Sequence, residues 1–157
     1  MSQCPWHRML RKLKVFAGLP VPVTALWKDG KPDFRTTDHE QLMRSVKYKL
    51  CAVCGAKLGL TCYWIGGPLC VQNHYFTDPG MHLECAKESI RLCPFLNGKR
   101  TTYRGDDLSS QSAHDTSKRP DRMFLMRGLT SVMEWRSLGG DSIGIYAGDN
   151  LTTLEEF

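Results

Sequence analysis

Two short cysteine pairs constrain this chain more than anything else in it. Cys51-Ala52-Val53-Cys54-Gly55 places two thiols across a tight turn, and His82-Leu83-Glu84-Cys85 offers an imidazole and a third thiol. Thiols two residues apart grip one ion because the turn aims both sulfurs inward, and a glycine relieves crowding where backbone N–H groups approach them. A histidine and a cysteine three apart share one face of a helix and can converge on the same ion. Near a helix N-terminus the dipole also favours thiolate. Three thiolates and one imidazole complete a tetrahedral Zn²⁺ shell with no open position, the pattern of a structural site. The expected ligands are Cys51, Cys54, His82 and Cys85, holding one structural zinc per chain.

The 27 residues between the pairs, 55–81, carry Leu58, Leu60, Tyr63, Trp64, Ile65, Leu69, Val71, Tyr75 and Phe76, broken by Gly66-Gly67-Pro68. They read as two strands around that turn. Knuckle, hairpin and ligand-bearing helix follow one another in treble-clef order. Two other readings compete: buried free cysteines beside a surface histidine, or a redox C-x-x-C. A thioredoxin-like pair opens a helix after a strand, whereas this one follows a helix. Cys62, Cys70 and Cys93 have irregular spacing. They read as small buried hydrophobes, with a second metal site of Cys62, Cys70, His74 and Cys93 as the weaker alternative. Seven cysteines, an odd number, argue against a fully paired disulfide framework.

The rest of the chain supplies a frame. With 157 residues, it is long enough to bury a core of its own. Trp6, Met9, Leu10, Leu13 and Ala17 recur at helical spacing with Arg8, Arg11, Lys12 and Lys14 on the other faces, predicting a basic amphipathic helix within 1–18. The proline-rich Leu19-Pro20-Val21-Pro22 reads as an extended linker. Asp29-Gly30 between strand-like runs signals a hairpin, with Pro32 marking an edge. Thr37-x-x-Glu40 reads as a capping box for a helix with Leu42, Met43, Val46 and Leu50 on its apolar face. Asp78-Pro79 reads as N-cap and first helical position of a second helix, stopped by Pro94. Residues 19–96 thus form a zinc-centred domain. Residues 97–121 read as a polar loop. Within 122–157, strands are expected near 123–126, 131–135 and 142–147. The fold class expected is α+β, with a treble-clef-like zinc centre, flanking helices and small antiparallel hairpins.

Function is less constrained. The net charge of +5 is uneven: residues 1–50 hold ten Lys/Arg against four Asp/Glu, residues 101–157 six against nine. Arg8, Arg11, Lys12 and Lys14 are therefore candidate contacts to nucleic acid or an acidic protein, against the plainer reading of a helix packed on its own core. Asn73-His74 on the expected second strand raises an HNH-like, metal-dependent nuclease as the alternative, with His74 as general base and Asn73 beside it. The His-His or Asp-His pair such enzymes use is missing, and an exposed strand pair explains the two residues equally. Asp106-Asp107, His114 and Asp115 read as solvated loop groups. Trp27, Trp64 and Trp135 read as core or interface anchors. No P-loop, nucleophile elbow, dinucleotide glycine motif or His-Glu-x-x-His occurs. No apolar run approaches the ~18 residues of a membrane span, and the basic residues of the N-terminus interrupt any signal-peptide core. The expectation is a cytoplasmic protein without a membrane span.

Five stretches taken together resemble a group of small, functionally uncharacterised proteins encoded by bacteriophages and bacterial genomes. They are WKDGKPDFR at 27–35, CAVCG at 51–55, GGPLC at 66–70, DPGMHLECA at 78–86 and CPFL at 93–96. The resemblance covers roughly residues 20–96. It implies a zinc-binding domain and a phage setting, hence the host cytoplasm, and it implies no activity. The reading drawn from residues and resemblance is a non-enzymatic, zinc-stabilised binding protein. It would contact a protein or nucleic-acid partner, and in a phage setting act on the host or its defences, or serve as an accessory of the particle.

Overall fold

A computed structural model describes residues 13–93, 96, 120–140 and 142–157. The fold is α+β, with three helices and small antiparallel sheets among the described residues.

Most of the expected N-terminal helix, including Arg8, Arg11 and Lys12, lies outside the described residues. Its last part is not helical. Val15–Phe16 (β1) pairs with Leu19–Pro20 (β2), turned by Ala17 and Gly18 at φ 52° and 80°. Two successive left-handed residues make the kind of tight turn that joins antiparallel strands, and a two-residue edge strand tolerates Pro20. The Pro20 region is therefore a strand rather than only a linker. The expected Asp-Gly hairpin forms: Ala25–Lys28 (β3) pairs with Lys31–Thr37 (β4), with Asp29 and Gly30 at φ 53° and 74°.

Helix α1, His39–Tyr48, is capped one residue later than the sequence pattern suggests. Asp38 accepts from the N–H groups of Glu40 and Gln41 at 3.0 and 3.3 Å. Thr37, expected to cap, instead donates its hydroxyl to Asp78 at 2.8 Å. Leu42, Ser45 and Val46 face the core, whereas Met43 is exposed. Lys49 turns left-handed at φ 57° and removes Leu50 from the helix.

Thr61–Gly66 (β5) buries alternate residues, with Cys62 and Trp64 inward. Only the end of the expected return strand forms, at Tyr75–Phe76. Pro68–Asn73 is a short helix, α2, with Gly67 at its cap, followed by the two-residue strand Tyr75–Phe76 (β6). Proline at the first helical position has its φ preset for a helix, and β5 takes its partner from far along the chain. That partner is Phe124–Leu129 (β7), in register from Thr61↔Leu129 to Gly66↔Phe124.

A 3-10 turn at Thr130–Val132 occupies much of the expected middle strand of the C-terminal region, and Glu134–Gly139 (β8) starts later. Ser142–Tyr146 (β9) and Thr152–Glu156 (β10) complete the elements. They build two three-stranded sheets, ordered β10-β7-β5 and β6-β9-β8. Trp64, Leu125, Met126, Met133 and Ile145 are fully buried at the centre, and the rings of Trp64 and Phe76 lie 4.6 Å apart.

The last helix, α3, spans Leu83–Leu92 with His82 at its cap. It begins later than Asp78-Pro79 suggests. Met81 is held extended beside Tyr63 by reciprocal backbone hydrogen bonds of 2.8 and 2.9 Å, so the chain cannot coil until His82. Residues 97–119 of the expected polar loop lie outside the described residues.

Candidate metal centre

The centre is assembled from three local pieces. The first is the turn after α1. Leu50 bridges to Lys57, the Cys51 N–H donates to the Ala56 carbonyl at 2.8 Å, and the Gly55 N–H donates to the Cys51 carbonyl at 3.0 Å. Gly55 sits at φ 78°, a conformation that favours glycine, and a Cβ there would stand 3.3 Å from a Val23 methyl. The second piece is β5, which carries the Tyr63–Met81 bridge and so brings the chain back to the turn. The third is the start of α3, which presents His82 from the cap position and Cys85 from the first turn.

These pieces bring together Cys51, Cys54, His82 and Cys85, with ligand atoms all within 4.8 Å of one another. His82 Nδ1 lies 3.3 Å from Cys54 Sγ and 3.9 Å from Cys85 Sγ. A tetrahedral zinc shell with Zn–S near 2.3 Å and Zn–N near 2.0 Å has ligand–ligand edges of about 3.5–3.8 Å, so the spacing fits such an ion. The other imidazole nitrogen supports the same assignment. Nε2 lies 3.0 Å from the Lys57 carbonyl, which can only accept; Nε2 therefore carries the hydrogen and Nδ1 faces the sulfurs. The N–H groups of Val53 and His82 both donate to Cys51 Sγ at 3.4 Å, the bonding a thiolate attracts.

Cys51 and Cys85 are fully buried, Cys54 and His82 partly so. Burial alone would push the Cys51 thiol up, but hydrogen bonds from Cys54, Cys85 and His82 outweigh it and hold Cys51 as thiolate. Hydrogen bonds with Cys51 and Cys54, then burial, push Cys85 well up. His82 is raised to about 11, chiefly by its hydrogen bonds with Cys51 and then Cys54, against the opposing effect of burial. Without an ion the four groups share protons around a buried thiolate. The same four groups could hold a divalent cation, which would replace those protons with direct bonds.

Among the described residues no other group of three or more Cys, His, Asp or Glu side chains is placed to hold a metal. Cys62 is packed inside the sheet and Cys70 stands beside Gly66, each with its thiol pushed up by burial. Asn73 and His74 close α2 rather than lying on a strand. The Asn73 carboxamide accepts from the Tyr75 N–H at 2.9 Å, and His74, at φ 62°, places Nδ1 2.8 Å from the Gly148 carbonyl. Lys14 is exposed, with Nζ 5.1 Å from the centre of the Trp27 ring. The Lys57 carbonyl, which fixes the imidazole tautomer, carries no signal in sequence, because any residue at that position supplies the same group.

Comparison with family models, with curated proteins and with solved structures yields no match to this chain. The class defined by its own geometry is an α+β protein with a Cys₃His cluster that can hold a metal ion. No described helix is long and apolar enough to cross a membrane.

Proposed function

We propose that the chain is a non-enzymatic binding protein stabilised by one structural zinc on Cys51, Cys54, His82 and Cys85. The observation that supports this reading is the ligand set: four donor atoms within 4.8 Å of one another, enough to fill a tetrahedral zinc shell without a substrate. The centre is treble-clef-like in our reading. The Cys51–Cys54 turn, the β5 arm bridged to Met81 and the ligand-bearing start of α3 follow one another in that order.

The zinc ties the turn after α1 to the start of α3, and the work of the chain is binding rather than chemistry. The basic residues Arg8, Arg11, Lys12 and Lys14 are the contact region, meeting an acidic protein surface or nucleic acid. In a phage setting the partner belongs to the host or its defences, and a role as a particle accessory uses the same surface.

The test is quantitative affinity capture from host lysate by the zinc-loaded chain and by a variant with all four basic residues changed to Ala. A specific protein or nucleic acid enriched by the first and lost by the second supports the reading. Mg²⁺-dependent DNA cleavage that disappears in His74→Ala would overturn it in favour of an HNH-like nuclease.

A further inference from the structure

A cavity of about 540 Å³ lies between the β3–β4 hairpin, β6 and α3, and reaches Val53 of the Cys51–Cys54 turn and Cys85. Its size falls in the range of small-molecule sites, and its wall is mostly apolar, including Val53, Ile65, Phe76, Met81 and Leu92. Two carboxyl groups, Asp78 and Glu88, reach the wall, and no Lys, Arg or His is among the described residues that line it. Glu88 has a cation already, in its ion pair with Arg91. Among the described residues Asp78 has none: its carboxyl is held by the hydroxyls of Thr37 and Thr77, with Thr37 donating to Oδ1 at 2.8 Å. A carboxylate kept from water without a cation is costly, and a ligand cation beside it offsets that cost.

We infer that this cavity binds a small, mainly apolar molecule carrying one amine, with the ammonium group paired to Asp78 and the apolar body against the wall of β6 and α3. This inference is independent of which macromolecule the surface contacts. The hydroxyls of Thr37 and Thr77 hold the carboxyl in place, and a carboxylate has further lone pairs with which to accept from an ammonium group. Steric fit is supplied by the apolar wall, whereas the choice between charge types falls to the single acid.

The probes are phenylbutylamine, phenylbutanol and phenylbutyrate, nearly equal in shape and differing in charge. Each is titrated into the zinc-loaded full chain and followed by NMR of the Met81 and Met123 methyls, both on the cavity wall. The amine is expected to bind most tightly, the alcohol more weakly, and the carboxylate at least about tenfold more weakly than the amine. Asp78→Asn is expected to remove the preference for the amine. Ile143→Trp places a larger ring on the wall of the cavity and is expected to weaken binding of all three. Equal binding of amine and carboxylate, no binding of the amine, or binding unaffected by Ile143→Trp would each overturn the inference. If Asp78→Asn does not fold, the probe ranking and the Ile143 variant decide.

Discussion

The backbone N–H of His82 donates to the sulfur of Cys51 at 3.4 Å, across 31 residues of sequence. One residue thereby serves the centre twice: its amide stabilises the thiolate of the turn while its ring faces Cys54 and Cys85. The start of α3 is fixed to the turn at Cys51, so loss of either ligand pair releases both ends of the domain.

Replacing Cys51 or Cys85 by Ser is expected to abolish zinc retention and to destabilise the chain by about 5 kcal/mol or more, because metal binding and folding are coupled here. Thermal unfolding followed by circular dichroism checks this. A variant with full zinc content and an unchanged midpoint would refute it.

Metal affinity is expected to rise from acid to neutral pH. In the metal-free fold, His82 is held protonated up to about 11, so its stabilisation is present below its ordinary 6.5 and lost as pH rises through about 11. Cys51 has the opposite sign. Its depressed value gives stabilisation that is fully present above the ordinary thiol range and lost as pH falls through the depressed value. Zinc must displace the protons on His82 and Cys85, so uptake releases protons and acid opposes it. Chelator competition across pH 5–8, about the range in which such sites are titrated, should show a positive slope; a flat profile would contradict the ligand assignment.

Gly80→Ala is expected to cost about 1–3 kcal/mol. A Cβ at Gly80 would stand 2.7 Å from Cys62 Sγ and 2.8 Å from its Cβ, and Cys62 is locked inside the sheet. Gly59→Ala, where nothing lies within 4 Å, serves as the control and should stay within about 0.5 kcal/mol. Urea unfolding of the pair measures the difference.

Asp38→Ala is expected to destabilise α1 by about 1 kcal/mol through loss of its bonds to the Glu40 and Gln41 amides. Under a capping box, Thr37 and Glu40 would carry this role, so Glu40→Ala costing as much as Asp38→Ala in the same assay would argue for that arrangement.

The ligand pairs were legible in sequence because each is local, and the spacing of two thiols or of a His and a Cys follows from the geometry of a turn and of a helix. The Asp29-Gly30 hairpin was legible for the same reason. What escaped was long-range. A single hydrogen bond from Thr37 to Asp78 removes both residues from the helix caps that local patterns assign to them. The return strand after Gly66-Gly67-Pro68 was misread because β5 pairs with β7, whose Leu129 lies 68 positions from Thr61, and no nearby residue announces that pairing. Leu13 and Ala17 fit a helical stripe by spacing, yet the left-handed pair Ala17-Gly18 folds Val15 and Phe16 onto Leu19 and Pro20.

The central claim is most directly tested by native mass spectrometry of the full chain with parallel elemental analysis, on wild type and Cys85→Ser. The account predicts one zinc per wild-type chain and none in the variant. A wild-type chain that takes up no zinc, or a variant that keeps its zinc, would contradict it.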